Sequence, residues 1–117
     1  MANVLALVDD LFFQARMLET ARRVGVELKT VATGDAFLAE AQQSAPALLI
    51  VDLNARAGAI EVLERLRAAG NQRPVVAFLS HVQVELAERA RAAGCQQVMP
   101  RSKFTQNLAA ILAQAKS

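Results

Sequence analysis

The sequence predicts an α/β domain in which one parallel sheet of five strands carries helices on both faces. Three observations predict it. Short apolar runs alternate five times with segments of helical periodicity. Two of those runs, Ala-Leu-Leu-Ile-Val at 47–51 and Val-Val-Ala-Phe-Leu at 75–79, are apolar throughout, as strands covered on both faces are. Gly25, Gly70 and Gly94 each close a helical segment ahead of the next strand.

The elements follow in order. Residues 4–8 form the first strand. Residues 11–24 place Phe13, Met17, Ala21 and Val24 on one helical face, and Gly25 stops that helix. Residues 26–32 alternate apolar and polar, as an edge strand wet on one side does. Thr33 caps a helix that runs to Ser44. Residues 47–51 are the central strand. The helix at 60–69 turns Ile60, Leu63 and Leu66 inward and ends at Gly70. Residues 75–79 are the fourth strand, 84–93 a helix closed by Gly94, and 97–99 a short fifth strand. A helix over 104–116, with Leu108, Ile111, Leu112 and Ala115 on one face, ends the sequence. Arg-Ala-Ala-Gly occurs at 67–70 and again at 91–94. Both copies end a helix before a strand, so shared capping chemistry explains the repetition.

Composition narrows the function classes. A chain of 117 residues suits a single domain, 1–117, with one real core. Thirteen basic and eleven acidic residues leave a net charge of +2, and no block of one sign marks a nucleic-acid or membrane footprint. Tyr and Trp are absent, and the five Phe sit in apolar contexts, which argues against a base-stacking platform. The single cysteine, Cys95, has no intramolecular disulfide partner; it reads as a small, partly buried side chain. The start of the chain lacks the basic region and cleavage site of a signal peptide, and no apolar run approaches membrane-spanning length. A soluble, cytoplasmic protein is expected.

In such a sheet the site lies beyond the carboxyl ends of the strands. The first strand ends on Asp9 and Asp10, the third on Asp52, the fourth on Ser80 and His81, and the fifth runs into Pro100, Arg101 and Ser102. Asp52 alone reads most simply as a turn or N-cap residue. If the first and third strands are neighbours, however, three carboxylates meet in one crevice. Two unit charges about 5 Å apart repel by roughly 3 kcal/mol at an effective dielectric near 20. A divalent cation removes that conflict, and an all-oxygen set suits Mg²⁺. An Asp beside it has the makings of a nucleophile toward phosphorus, with Ser80 and Arg101 as hydroxyl and cation for the phosphoryl oxygens. No Gly-rich loop follows the first strand, against a dinucleotide or P-loop site. His81, the only histidine, has no nucleophile and acid around it and reads as a solvated loop residue.

Over essentially its whole length the chain resembles the response-regulator receiver domain of two-component signalling. Leu7-Val8-Asp9-Asp10 is similar to the family's acid pair and Leu49-Ile50-Val51-Asp52-Leu53-Asn54 to its acceptor strand. Phe78-Leu79-Ser80 matches the hydroxyl position, and Val98-Met99-Pro100-Arg101-Ser102, after Ala92-Ala93-Gly94-Cys95, the last strand with its basic residue. The resemblance implies a flavodoxin-like (βα)5 three-layer sandwich with strand order 2-1-3-4-5. It implies Asp52 as phosphoacceptor, and Mg²⁺ held by Asp9, Asp10, Asp52 and the backbone carbonyl of Asn54. It also implies a histidine kinase or phosphotransfer protein as donor and a downstream target protein, with a monomer or weak homodimer as the acting form.

The chain departs from the family in four places. Arg101 stands where the family has Lys, which changes shape and reach. The loop 54–59 lacks the usual proline and is about one residue short. Val98 stands where an aromatic switch residue is common, and Ser80 falls one residue later after Pro74 than the pattern asks. These departures leave a second expectation open, a receiver-like adaptor that binds partners constitutively and takes no phosphate. A third is a structural α/β domain with merely solvated acids. No output domain is expected after Ser117, so output is expected through the segments 84–93 and 104–116.

Overall fold

The computed structural model describes residues 3–56, 58–80 and 83–116; His81 lies outside them. Five strands, β1 (Val4–Leu7), β2 (Leu28–Val31), β3 (Leu48–Asp52), β4 (Val75–Leu79) and β5 (Gln97–Pro100), form one parallel sheet in the order β2-β1-β3-β4-β5. The helices are α1 (Leu11–Val24), α2 (Gly34–Ser44), α3 (Ala59–Ala68), α4 (Val84–Ala92), α5 (Arg101–Gln106) and α6 (Leu108–Ala113). The expected flavodoxin-like three-layer sandwich is the observed one.

The period of two along each strand divides the core into two layers. Leu5, Leu7, Leu49, Val51, Val75 and Ala77 face α2, α3 and α4, where Phe37, Leu63 and Leu66 meet them. Val4, Ala6, Leu48, Ile50, Val76 and Phe78 face α1, α5 and α6, where Met17, Phe104 and Leu112 meet them. Asp52 falls in the second series, after Leu48 and Ile50. It pairs in register with Phe78. The strand's own pleat thus aims its carboxylate toward the side of α1 and α5.

The repeated Arg-Ala-Ala-Gly is a repeated helix stop. In each copy the second alanine, Ala69 or Ala93, ends the helix and the following glycine is left-handed, at φ 88° for Gly70 and 106° for Gly94. Asn71 N–H then reaches back to Leu66 O, and Cys95 N–H to Ala90 O, the six-to-one bond of a Schellman cap. Arg67 does more than its counterpart Arg91. Its guanidinium donates to the carbonyls of Asn71, Arg73 and Gly94 at 2.8, 3.0 and 2.7 Å, stapling two loops together.

The end of the chain differs from the expected single helix over 104–116. The helical segment starts at Arg101, and it breaks at Asn107 into α5 and α6. Asn107 Nδ2 donates to Lys103 O at 2.9 Å, and its backbone sits at φ −106°, ψ 12°. A short amide that competes for a backbone carbonyl interrupts a helix in this way. Leu108, Ile111, Leu112 and Ala115 still face the core.

Candidate functional site

The site is built from the carboxyl ends of β1, β3 and β4 and the start of α5. Asp52, the last residue of β3, is 2% exposed and is the one buried charged side chain among the described residues. Its Oδ1 accepts from Asn54 N–H at 2.9 Å; its Oδ2 faces Arg101 Nη2 at 3.4 Å. Burial pushes its pKa above the usual carboxylate value, an effect only partly offset by the Asn54 N–H and the Arg101 charge. Asp9 and Asp10 add to the upward push.

Asp10 is the N-cap of α1, with Oδ1 accepting from Phe12 N–H at 3.0 Å and Phe13 N–H at 3.1 Å. The Phe13 N–H is the main reason its carboxyl lies below the ordinary range; Arg101 also lowers it, and partial burial opposes both. Its Oδ2 faces Arg101 Nη1 at 3.5 Å. One guanidinium therefore spans Asp10 and Asp52 with two different nitrogens, at ion-pair distance. It is held there from behind. Its carbon lies 4.6 Å from the ring centre of Phe13 and 5.5 Å from that of Phe78, within cation–π range. Phe78 stacks on Phe104 at 4.4 Å, so the rings under the guanidinium are part of the core. Arg101 Nε is buried and has no hydrogen-bond partner among the described residues.

The remaining expected residues are arranged differently. Asp9 Oδ2 accepts from Arg56 N–H at 2.9 Å, tying the loop after β3 to the end of β1. Ser80 Oγ and N–H both bond to Asn54 Oδ1, at 2.9 and 2.6 Å, and Asn54 Nδ2 donates to Gln83 Oε1 at 2.9 Å. Asn54, expected to act through its carbonyl, uses its side chain to knit the ends of β3 and β4 to the start of α4. Cys95 is buried and its thiol is pushed up to about 11 by burial, with Arg67 opposing.

Mg²⁺ asks for near-octahedral oxygen ligands at about 2.0–2.1 Å. The residues as they stand do not fit such an ion. Arg101 lies between the Asp10 and Asp52 carboxylates, and Asp9 is turned to Arg56 N–H. Among the described residues no three acid, histidine or cysteine side chains group as metal ligands.

Sequence reasoning missed the roles of Phe13 and Phe78 under Arg101. Both carried the signal of core residues, and only the Asp52–Phe78 register places a ring beside the acid.

The sequence matches no protein-family model and no curated protein. Solved structures do match. The chain is similar to the chemotaxis response regulator CheY4 of Vibrio cholerae, with 23% identity, TM-score 0.84 and 98% of each chain covered. It is similar to a response-regulator receiver domain protein from Clostridium thermocellum, with 16% identity and TM-score 0.82, covering 98% of this chain and 94% of that one. It also matches NtrX from Brucella abortus, with 21% identity and TM-score 0.81, over 97% of this chain and 26% of the other. At these identities the likeness establishes the fold: the chain has the fold of response-regulator receiver domains. No helix among the described residues is long and apolar enough to cross a membrane.

Proposed function

We propose that the chain is a receiver module of two-component signalling, accepting a phosphoryl group on Asp52 and signalling onward by protein contact. The observation that carries this reading is the meeting of Asp52, Asp10 and Arg101 at the carboxyl edge of a receiver-fold sheet. An Asp52 carboxylate oxygen attacks phosphorus on a phosphohistidine, the P–N bond breaks, the imidazole leaves with a proton from solvent, and an acyl phosphate forms. Negative charge on the phosphoryl oxygens falls to Arg101, whose fork suits a phosphate as well as a carboxylate. Ser80, at the end of β4 and bonded to the Asn54 side chain, is the hydroxyl of this reading and would exchange Asn54 Oδ1 for a phosphoryl oxygen. Mg²⁺, the cofactor the resemblance implies, has no place in this step as the residues now stand.

The donor is a histidine kinase or a phosphotransfer protein. Leu11 and Phe12, 75% and 91% exposed beside Asp10, offer it an apolar landing at the rim of the site. The receiver works as a monomer or weak homodimer in the cytoplasm, with a downstream protein as target.

The burial of Asp52 favours a second reading, the constitutive adaptor. A carboxylate 2% exposed and already paired with Arg101 must shed that pair before it attacks. Incubation with a small phosphodonor, followed by intact-mass analysis of wild type and Asp52→Asn, separates the two. One acid-stable, base-labile phosphoryl group on wild type alone supports the acceptor. Unmodified wild type under saturating donor leaves the adaptor.

A further inference from the structure

We propose that Arg101 is the resident cation of the acid pocket, bridging the carboxylates a divalent metal would bridge, so that the closed site excludes Mg²⁺. The guanidinium addresses the Oδ2 atoms of both Asp10 and Asp52, at 3.5 and 3.4 Å, which is the bridging task of a metal between two carboxylates. The other carboxylate contacts are with backbone donors: Asp10 Oδ1 with Phe12 and Phe13, Asp52 Oδ1 with Asn54, and Asp9 Oδ2 with Arg56. An entering dication would find a fixed positive charge facing two of its carboxylates and the third, Asp9, turned through Oδ2 to a backbone donor.

Three properties make the substitution durable. The planar fork of an arginine reaches two carboxylates at once, which a lysine ammonium does only as a point charge. The rings of Phe13 and Phe78 back the guanidinium, so swinging out costs a cation–π contact as well as two ion pairs. Arg101 is also the first residue of α5, directly after β5, so its backbone is anchored by two elements.

This inference uses the pocket of the proposed function but not its chemistry, so a protein that refuses phosphodonors still answers the test. Free Mn²⁺, a paramagnetic stand-in for Mg²⁺, is titrated with wild type, Arg101→Met and Arg101→Lys and followed by electron paramagnetic resonance. Far-ultraviolet circular dichroism checks that each variant is folded. Arg101→Met is expected to bind Mn²⁺ about tenfold or more tighter than wild type, and Asp10→Asn added to it is expected to abolish the gain. Should Arg101→Met not fold, Arg101→Lys is read in its place, with a smaller gain expected from its movable charge. Equal or tighter binding by wild type than by the folded variant overturns the proposal. So does a gain that survives Asp10→Asn.

Discussion

At the scale of single residues, the Phe13 N–H bond at Asp10 and burial at Asp52 set opposite directions, and pH behaviour follows. Burial raises the Asp52 pKa above its unfolded value of 3.8, so between that value and the raised one the folded state holds more protons. Stability contributed by the protonated Asp52 is therefore present in acid and is lost as pH rises through that window. Asp52→Asn removes the loss. The stability difference between Asp52→Asn and wild type is expected to move in the variant's favour from acid to neutral pH, as read by chemical denaturation across the range. A flat difference would mean that Asp52 is not penalised by its surroundings. Cys95 gives a second expectation at this scale. A buried thiol pushed up to about 11 carries little thiolate at neutral pH. Alkylation by iodoacetamide should be negligible in the native protein and rapid in denaturant; equal rates would place Cys95 at the surface.

At the scale of elements, most of the architecture is legible in the chain. The apolar runs without alternation became the covered strands β3 and β4, the latter at the expected residues, and Thr33 capped α2 as expected. Hidden from sequence was whatever depends on one element meeting another. The register of Asp52 against Phe78, the fork of Arg101 between two acids, and the Asn54 amide bridging to Ser80 and Gln83 join residues far apart in the chain. The break at Asn107 is local, but the apolar face runs through it undisturbed and masks it. The Gly94 stop tests the element scale. Its φ of 106° suits glycine, and a Cβ there would stand 2.5 Å from Arg67 Nε. Gly94→Ala is expected to cost about 1–3 kcal/mol of backbone strain and to loosen the Arg67 staple, checked by urea unfolding. A loss below about 0.5 kcal/mol, the scatter of ordinary surface substitutions, would show that the loop relaxes freely.

At the scale of the whole molecule, output is expected from the surface of α4, β5 and α5. Val98 lies in β5, packed beside the layer under α4, and lines a shallow groove with Val84, Ala87 and Met99. Val98 is branched at Cβ and stiff at χ1; it has no ring to swing when the site changes. Occupancy of Asp52 is therefore expected to alter partner affinity by about 1 kcal/mol or less, at the low end of allosteric coupling. Titration of a captured partner with and without beryllium fluoride reads this, and a hundredfold change would show that another element carries the switch. The central claim, that Asp52 is the acceptor, has a more direct test. Protein treated with a phosphodonor is reduced with borohydride, which converts an acyl phosphate to the alcohol, and then digested and mapped by peptide mass. Homoserine at position 52 is the expected result. Reduction at Asp9 or Asp10, or at no residue under saturating donor, would contradict it.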